Sequence, residues 1–233
     1  MKNVAIILAS GTGERSGLSL PKQFFEIDGK TMLEIVVATF NGHSGIDEII
    51  VVVNEDFVEL TKSLLSAFPK VKKIIKGGTI RQESSYNGVM AIDDVECNVL
   101  IHDAARVFVS KKVITACIES LNEYDAVCAV VNSTDTVFVV DAKGKIVNIP
   151  QRENLRCAQT PQCFKLSLIR KAHELALKGK IFVTDDCGLV YKNGLGEIYT
   201  VEGDLDNLKI TYGEDFELAK QIYKKRLDLK KGS

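Results

Sequence analysis

The chain of 233 residues has no tryptophan, only four prolines and three histidines, and no long apolar run. Its N-terminal apolar segment has six residues, 4–9, which is too short for the core of a signal peptide or for a membrane span. The six cysteines form no C-x-x-C pair and do not cluster with the histidines, so we expect reduced thiols and no zinc site. Thirty basic and 31 acidic residues leave a net charge of −1, which provides no broad basic surface for nucleic acid or an anionic membrane. The sequence therefore predicts a cytoplasmic protein in which any anion site is local.

Short unbroken runs rich in Val, Ile and Leu recur through the first half of the chain. They lack the alternation of half-exposed strands, which indicates strands buried on both faces, as in a parallel sheet. Segments with a helical period separate them, and Ser110 and the Thr31–Glu34 pair have the pattern of helix N-caps. The predicted strands are 4–9, 48–54, 72–77, 98–103 and 125–131, and the predicted helices are 31–41, 56–68, 81–92 and 110–124. This alternation predicts an α/β fold with a doubly wound, mostly parallel sheet.

The pattern changes after residue 131. Residues 135–155 are typical of two strands joined by the turn sequence "DAKGK", and a hairpin inserted into a parallel fold often protrudes as an arm. The elements expected after it are helices at about 165–178 and 185–193, a strand at 197–203 and a last helix from Glu214. No linker is long enough to separate domains. We expect one domain, 1–233, with an arm at about 134–155 that contacts a second subunit.

The stretch "LASGTGERSGLSLPKQF", residues 8–24, follows the first predicted strand. It is not a Walker P-loop, because no glycine in it precedes Lys-Ser or Lys-Thr. A dinucleotide fingerprint would need glycine at Ser16 and an acidic residue at the end of the second strand, and both are lacking. The third alternative is a triphosphate cradle, in which backbone N–H groups ring the phosphates and the cations of Arg15 and Lys22 stabilise charge on the α-phosphate. The charges favour this interpretation.

This stretch resembles the signature of the sugar-type nucleotidyltransferases, specifically the cytidylyltransferases that act on polyol phosphates. The motifs "GGTIRQESSYNG", "HDAAR", "STDT", "QTPQCF", "TDDCGL" and "NLKIT" follow in the same order as in that family, so the resemblance covers roughly residues 4–220. It implies a sheet of the nucleotide-diphospho-sugar transferase type, CTP as substrate, Mg²⁺ or another divalent cation as cofactor, and a homodimer formed through the arm. Two relatives are close, the 2-C-methyl-D-erythritol 4-phosphate enzymes of isoprenoid synthesis and the ribitol 5-phosphate enzymes of teichoic acid and capsule synthesis.

The resemblance also implies roles for individual residues. Arg15 and Lys22 would be the catalytic pair that stabilises the transition state. The CTP-binding residues would be Leu8, Ala9, Ser10, Gly11, Gly13, Gly77, Gly78, Arg81, Ser84 and Asp103, with Asp103 also the metal ligand. The residues binding the acceptor substrate would be Arg106, Thr136, Arg152, Thr184 and Lys209. Two positions depart from the family pattern: Ser10 stands where Ala or Gly is usual, and Val107 where proline is usual.

The expected reaction is attack by a phosphate oxygen of the acceptor on the α-phosphorus of CTP. A phosphate monoester is already anionic at neutral pH, so no general base is needed, and positioning and charge stabilisation would carry catalysis. Ile149 and Pro150 before Arg152 favour ribitol 5-phosphate as acceptor, with methylerythritol phosphate as the alternative. A glycosyltransferase would need a D-x-D motif, which the adjacent acids at 93–94 and 185–186 do not provide. A regulator that only binds nucleotide would not need two cations for a second phosphate.

Overall fold

The computed structural model describes residues 1–11 and 20–231, with side chains as far as Asp228. The strands are β1 (Asn3–Ala9), β2 (Glu26–Ile27), β3 (Lys30–Thr31), β4 (Glu48–Val53), β5 (Val71–Lys76), β6 (Asn98–Asp103), β7 (Ala126–Asn132), β8 (Val139–Val140), β9 (Ile146–Asn148), β10 (Arg156–Lys165) and β11 (Tyr199–Glu202). The helices are α1 (Met32–Asn41), α2 (Val58–Leu64), α3 (Arg81–Met90), α4 (Lys111–Ser120), α5 (Leu166–Gly179), α6 (Asp186–Lys192) and α7 (Gly213–Lys231). None of the helices within the described ranges is both long enough and apolar enough to cross a lipid bilayer.

Seven strands form the central sheet, in the order β11-β7-β10-β6-β1-β4-β5. β1 pairs in parallel with β4 and β6, β4 pairs in parallel with β5, and β7 pairs in parallel with β11. Only β10, among the described strands of this sheet, runs antiparallel to its neighbours β6 and β7. The prediction of a mostly parallel α/β sheet is confirmed.

Strand β10 was not predicted, because its sequence "RCAQTPQCFK" has neither an apolar run nor a clear alternation. Its polar side chains at Gln159, Thr160 and Gln162 are nevertheless buried, and each finds partners. Gln159 donates to the carbonyl of Asp204 over 2.9 Å, and Gln162 donates to the Asp185 carboxylate over 2.8 Å while its own oxygen accepts from the backbone of Asp186. These bonds offset the cost of burying amide groups in the middle of a sheet.

Helices cover both faces of the sheet. The β1 side chains alternate between the faces, since Ala5 and Ile7 belong to one apolar core and Val4 and Ile6 to the other. The first core is completed by α1, α4 and α7, and the second by α3, α5 and α6. Because every β1 side chain is buried, the strand is apolar from Val4 to Ala9, as in other parallel sheets covered on both sides.

The predicted N-caps are present. Thr31 accepts from the Glu34 backbone and the Glu34 carboxylate returns a bond to the Thr31 backbone, which completes the capping box of α1. Ser110 caps α4 by accepting from the backbone of Val113. The helix predicted over 56–68 is shorter: a 3₁₀ turn occupies Glu55–Phe57 and α2 ends at Leu64.

The hairpin formed by β8 and β9 is a two-stranded sheet of its own, separate from the central sheet. Its turn is closed by Asp141, whose carboxylate accepts from the backbones of Lys143 and Lys145, while Gly144 adopts a φ of 82°. Its large apolar side chains are 42–56% exposed; they are Val137, Phe138, Val139, Val140, Ile146, Val147 and Ile149. We call residues 134–155 the arm. Its exposed apolar surface is larger than scattered single residues would give.

Candidate active site

A cavity of about 340 Å³ opens at the carboxyl ends of β1 and β6. These strands are neighbours, with Leu8 beside Asp103. From β1 the chain continues to β4 and β5 on one side, and then returns to β6 on the other side of β1. Ligands of open α/β sheets bind where the strand order reverses in this way. The described lining residues are Leu8, Ala9, Ser10, Gly11, Lys22, Gln23, Asn54, Gly78, Thr79, Ile80, Arg81, Asp103, Ala104, Ala105 and Lys209.

The first wall of the cavity comes from the end of β1 and the 3₁₀ turn at Lys22–Phe24. Gln23 is buried, and its amide donates to the carbonyls of Ala9 and Gly11 over 2.6 and 3.2 Å, which fixes the start of the glycine-rich loop. Lys22 lines the cavity, and its ammonium donates to the carbonyl of Ile210 over 2.8 Å. Gln23 was not singled out from the sequence, although "PKQF" contains it.

Two of the predicted residues, Gly13 and Arg15, lie outside the described residues. Their roles as a phosphate-binding glycine and as the second catalytic cation therefore stay predictions. The described residues on either side, Gly11 and Lys22, both line the cavity.

The second wall is the turn between β5 and α3. A Cβ atom on Gly77 would lie 2.5 Å from Cβ of Ser10, and one on Gly78 would lie 2.1 Å from Cβ of Glu83, so both positions need glycine. The Glu83 carboxylate accepts from the backbone and hydroxyl of Thr79, both at 2.7 Å, and these hydrogen bonds hold the pKa of Glu83 below its usual value. The sequence predicted this loop, but the hydrogen bonds between Thr79 and Glu83 were not predicted.

Three predicted residues meet in one ion-pair cluster. Nε of Arg81 donates to Oδ1 of Asp103 over 2.9 Å, and the Lys209 ammonium donates to Oδ2 of Asp103 over 2.8 Å. Burial by itself would raise the pKa of Asp103, but the charges and hydrogen bonds of the two cations outweigh it and hold that pKa well below its usual range. Asp103 is therefore a carboxylate whose two oxygens are both fixed in direction.

Arg81 has a second acidic partner, Asp186, at the first turn of α6. Nη1 of Arg81 donates to Oδ2 of Asp186 over 2.9 Å. Burial of the guanidinium opposes its charge, yet the two carboxylates together raise the pKa of Arg81 above its usual value. Asp186 belongs to the "TDDCGL" motif, but no role for it was predicted.

Arg106 and its neighbours brace the loop after β6. The Arg106 guanidinium donates to the carbonyls of Asn207 and Ala158 over 2.9 and 3.1 Å, which ties β6 to β10 and to the segment before α7. His102 lies beneath this loop, and its burial lowers the pKa to about 4. Val107, which replaces the usual proline, is buried in the first apolar core. This geometry supports loop orientation by Arg106, and its contact with substrate stays a prediction.

The remaining predicted residues for the acceptor do not line the cavity of the described chain. Thr136 and Arg152 are exposed at the base of the arm, and Thr184 is exposed just before α6. Arg152 faces a separate depression of about 690 Å³ whose other lining residues include Gln151, Glu153 and Arg156. Within one chain, therefore, Lys209 lines the cavity and Arg152, its predicted companion in binding the acceptor phosphate, does not.

The fit for a divalent cation rests on Asp103. It is the one acidic residue lining the described part of the cavity, and the described residues hold no group of three or more His, Cys, Asp and Glu side chains that could bind a metal ion. Mg²⁺ is commonly held by one or two carboxylates together with substrate phosphates. The residues fit a cation that arrives with a nucleotide, and they do not form a site for a metal bound by protein alone.

The chain is similar to known proteins over most of its length. A model of the IspD family, 2-C-methyl-D-erythritol 4-phosphate cytidylyltransferase, matches residues 3–225. Relatives with that name from Clostridium botulinum (strain 657 / Type Ba4) and Clostridium perfringens (strain ATCC 13124) are 41% and 43% identical; each match covers 96% of this chain, and 98% and 99% of the relative. The crystal structure of 4-diphosphocytidyl-2C-methyl-D-erythritol synthase from Anaerococcus prevotii superposes with a TM-score of 0.87 at 31% identity, covering 96% of this chain and 98% of that one.

These findings bear on the predicted acceptor. The family model and the relatives named above carry methylerythritol names, so they favour the alternative acceptor over ribitol 5-phosphate and give no support to teichoic acid or capsule synthesis. The Ile-Pro pair before Arg152 lies on the exposed arm and outside the cavity, so it does not distinguish ribitol 5-phosphate from the alternative acceptor. Since the family model spans most of the chain, the protein is a nucleotidyltransferase enzyme that belongs to the 2-C-methyl-D-erythritol 4-phosphate cytidylyltransferase family.

Proposed function

We propose that the protein transfers CMP from CTP to 2-C-methyl-D-erythritol 4-phosphate, giving the diphosphocytidyl product and pyrophosphate. The observation that carries this proposal is the cluster of Arg81, Asp103 and Lys209, which lines the same cavity as Lys22 at the switch point of the sheet. The cavity thus contains a fixed carboxylate, several cations and the backbone of Gly11 and Gly78. This arrangement suits a nucleoside triphosphate and a second phosphate, whose negative charges must be brought together.

In the proposed reaction, a phosphate oxygen of the acceptor attacks the α-phosphorus of CTP. The new P–O bond forms as the bond from the α-phosphorus to the bridging oxygen breaks, and pyrophosphate leaves with that electron pair. Charge develops on the α-phosphate oxygens, where Lys22 and Arg15 would stabilise it. Lys209 would hold the acceptor phosphate through a charge-assisted hydrogen bond. No residue needs to remove a proton, because the attacking phosphate is already anionic.

Asp103 would hold Mg²⁺ against the CTP phosphates. The cation supplies charge neutralisation and orientation of the triphosphate when it is bound. Although burial opposes it, the charges of Arg81 and Lys209 hold the pKa of Asp103 well below its usual range, so the carboxylate has the ionised form that can bind a cation throughout the neutral pH range.

The acceptor site would be completed by a second subunit. Arg152 and Thr136 belong to the arm, whose exposed apolar side chains are suited to burial against a partner. Insertion of the arm beside the partner's cavity would bring Arg152 next to Lys209 and give the acceptor phosphate two cations. The active form would be a homodimer.

The test of the proposed function is pyrophosphate release with CTP and Mg²⁺. The two acceptors, 2-C-methyl-D-erythritol 4-phosphate and ribitol 5-phosphate, are compared at equal concentrations across a concentration series. We expect kcat/KM to be at least about tenfold higher for the methylerythritol phosphate, the scale that a lost buried hydrogen bond gives. A higher kcat/KM for ribitol 5-phosphate would contradict the proposal and restore the first acceptor. If neither acceptor gives pyrophosphate release, the proposed acceptor is wrong and only the proposed binding of CTP would still be supported.

A further inference from the structure

We infer that Asp186 is a positioning residue for the nucleotide site, acting through Arg81 and supported from behind by Ser85 and His173. The inference rests on the proposed function for its kinetic readout, because Arg81 is taken as part of the CTP site. Asp186 itself does not line the described cavity, and only 1% of its side chain is exposed. Any effect of Asp186 on the nucleotide is therefore transmitted by another residue.

The effect of Asp186 on the nucleotide site passes through the guanidinium of Arg81. Its Nε edge is bound to Asp103 and its Nη1 to Asp186, both over 2.9 Å, so two carboxylates grip the planar group from different directions. With one carboxylate the group could rotate about its bond to that partner, whereas two fix its plane. Asp103 receives its Oδ1 hydrogen bond from this group, so a displaced guanidinium would also release that oxygen.

Asp186 is held in turn by residues of two other helices. The Ser85 hydroxyl, on α3, donates to Oδ1 of Asp186. Nε2 of His173, on α5, lies 3.2 Å from the same hydroxyl. Because the Ser85 proton is directed to the carboxylate, the imidazole must donate to Ser85, which requires a proton on Nε2 of His173. The neutral imidazole with its proton on Nε2 meets this requirement. Burial lowers the pKa of His173 and favours this neutral form, although the nearby Asp186 charge opposes it.

The buried chain thus runs from α5 through α3 and α6 to the cavity. It links His173, Ser85, Asp186, Arg81 and Asp103 by contacts between residues far apart in sequence. All four carboxylate oxygens of Asp103 and Asp186 accept a hydrogen bond, whereas Nη2 of Arg81 is buried without a partner among the described residues. The network gives Arg81 a rigid foundation that the cavity lining alone would not provide.

The adjacent residue, Asp185, offers a matched control. It is also an acidic residue at the start of α6, but within the described residues its carboxylate accepts from the backbone of Gly188 and from Gln162 rather than from Arg81. Asn is a good N-cap, so Asp185→Asn should preserve α6. The two substitutions Asp185→Asn and Asp186→Asn remove one carboxylate charge each from neighbouring positions, and only the second touches Arg81.

The experiment measures CTP affinity by calorimetry with CTP and Mg²⁺, and KM and kcat by pyrophosphate release. Loss of a charge-assisted hydrogen bond costs about 1.5–3 kcal/mol, so we expect Asp186→Asn to raise the Kd and KM for CTP about 10- to 100-fold. Asp185→Asn should remain within about threefold of the wild type, the range of a near-neutral substitution. Equal losses in both variants would overturn the inference.

A double-mutant cycle separates positioning from a general structural effect. In an Arg81→Ala background, Asp186→Asn should change the Kd for CTP less than about threefold, because the residue through which it acts is gone. Full additivity of the two effects would overturn the inference. If Asp186→Asn fails to fold, Ser85→Ala is the variant that tests the inference. We expect it to raise the Kd for CTP about three- to tenfold. Wild-type values of Kd and KM for CTP would refute the positioning role of Asp186. The calorimetric Kd is independent of the acceptor, so failure of the proposed reaction and failure of this inference remain distinguishable.

Discussion

The hydroxyl groups of Ser10 and Ser84 lie 2.7 Å apart and join the two glycine-rich walls of the cavity. Ser84 donates to the carbonyl of Ile80 and accepts from the backbone of Gly78, so Ser10 is the donor in the pair. Gly77 makes the approach possible, because any side chain there would overlap Ser10. The serine that departs from the family pattern thus forms a bridge that Ala or Gly could not form.

Ser10→Ala removes this bridge while keeping a small side chain. We expect the KM for CTP to rise about three- to tenfold with kcat within about twofold, because one hydrogen bond near the nucleotide contributes about 1 kcal/mol. Steady-state pyrophosphate release measures both constants. Ser66→Ala, which alters an exposed serine bonded only to the Ser63 carbonyl, serves as the control. An unchanged KM in Ser10→Ala would show that the bridge does not order the nucleotide walls.

Lys22→Ala should lower kcat about 100-fold or more, since removing one electrostatic stabiliser of a transition state has effects of this size. The KM for CTP should change far less than kcat if the lysine acts mainly in the transition state. Single-turnover quench experiments with saturating CTP measure the chemical step directly. Lys72→Ala, at an exposed lysine on β5, is the matched control. We expect Arg15→Ala to behave as Lys22→Ala does, and wild-type turnover in either variant would remove that residue from the catalytic pair.

Arg152→Ala should raise the KM for the acceptor by about tenfold or more and leave the KM for CTP nearly unchanged, because one charged contact to the phosphate is lost. If the arm reaches the partner's cavity, mixing this variant with Lys22→Ala should restore activity. A mixed dimer then has one cavity with wild-type Lys22 and a wild-type Arg152 from the other subunit. With random mixing, and with the acceptor far below its KM so that Arg152→Ala homodimers contribute little, activity should approach a quarter of wild type, since about half of the dimers are mixed and each has one complete site. No recovery after subunit exchange would place Arg152 in its own chain's site.

Gly88→Ala should destabilise the fold by up to about 2 kcal/mol. Alanine in a helix interior gains about 1 kcal/mol over glycine, but a Cβ atom here would lie 2.6 Å from Cγ2 of Ile6 and 3.1 Å from Cγ2 of Val52. Overpacking of this kind costs about 1–3 kcal/mol, and branched side chains in a buried sheet cannot rotate away. Urea denaturation measures the difference. A stabilised variant would show that α3 can lift from the sheet at little cost.

Stability should fall as the pH decreases below about 6.5, the ordinary histidine value. Burial lowers the pKa of His43, His102 and His173 in the folded protein, so the unfolded chain binds protons first in this range. His43 accepts from the Gly45 backbone at Nδ1, and protonation would break that bond. His43→Gln should reduce the slope of the free energy of unfolding against pH by at most about 1.4 kcal/mol per pH unit, which is the contribution of one proton. Urea midpoints at pH 7.5, 6.5 and 5.5 measure it, and identical slopes in the two proteins would contradict the assignment.

The elements predicted correctly are those whose sequence carries a local signal. β1 is apolar from Val4 to Ala9 because helices cover both of its sides, and α1 begins after Thr31 because Glu34 completes the cap there. β10 could not be recognised in this way. Its buried glutamines are satisfied by residues 23–45 positions away in the chain, which no local pattern records.

The same limit applies to the site. Glycine loops and the cations beside them have recognisable spacing, and the predicted residues Ser10, Gly77, Arg81 and Lys209 lie at the cavity or in its wall. Their contacts with CTP and the acceptor stay predictions. The partner of Arg81 was missed, because Asp186 lies 105 residues further along the chain. "TDDCGL" contains two adjacent acids, and only the three-dimensional contacts distinguish the helix cap from the residue that holds Arg81.

The antiparallel strand β10 also determines the order in which the protein can be assembled during synthesis. β7 has no direct pairing with β6, and both are joined to β10 instead. The strands β1, β4, β5 and β6 can therefore pair with one another as soon as residue 103 has left the ribosome, whereas β7 waits with open edges until Lys165 follows. During that interval the arm is already made, so its apolar residues and the unpaired edge of β7 are exposed together on the nascent chain. This interval is the stage of synthesis at which the chain is most vulnerable to aggregation and at which a chaperone would have the most to protect.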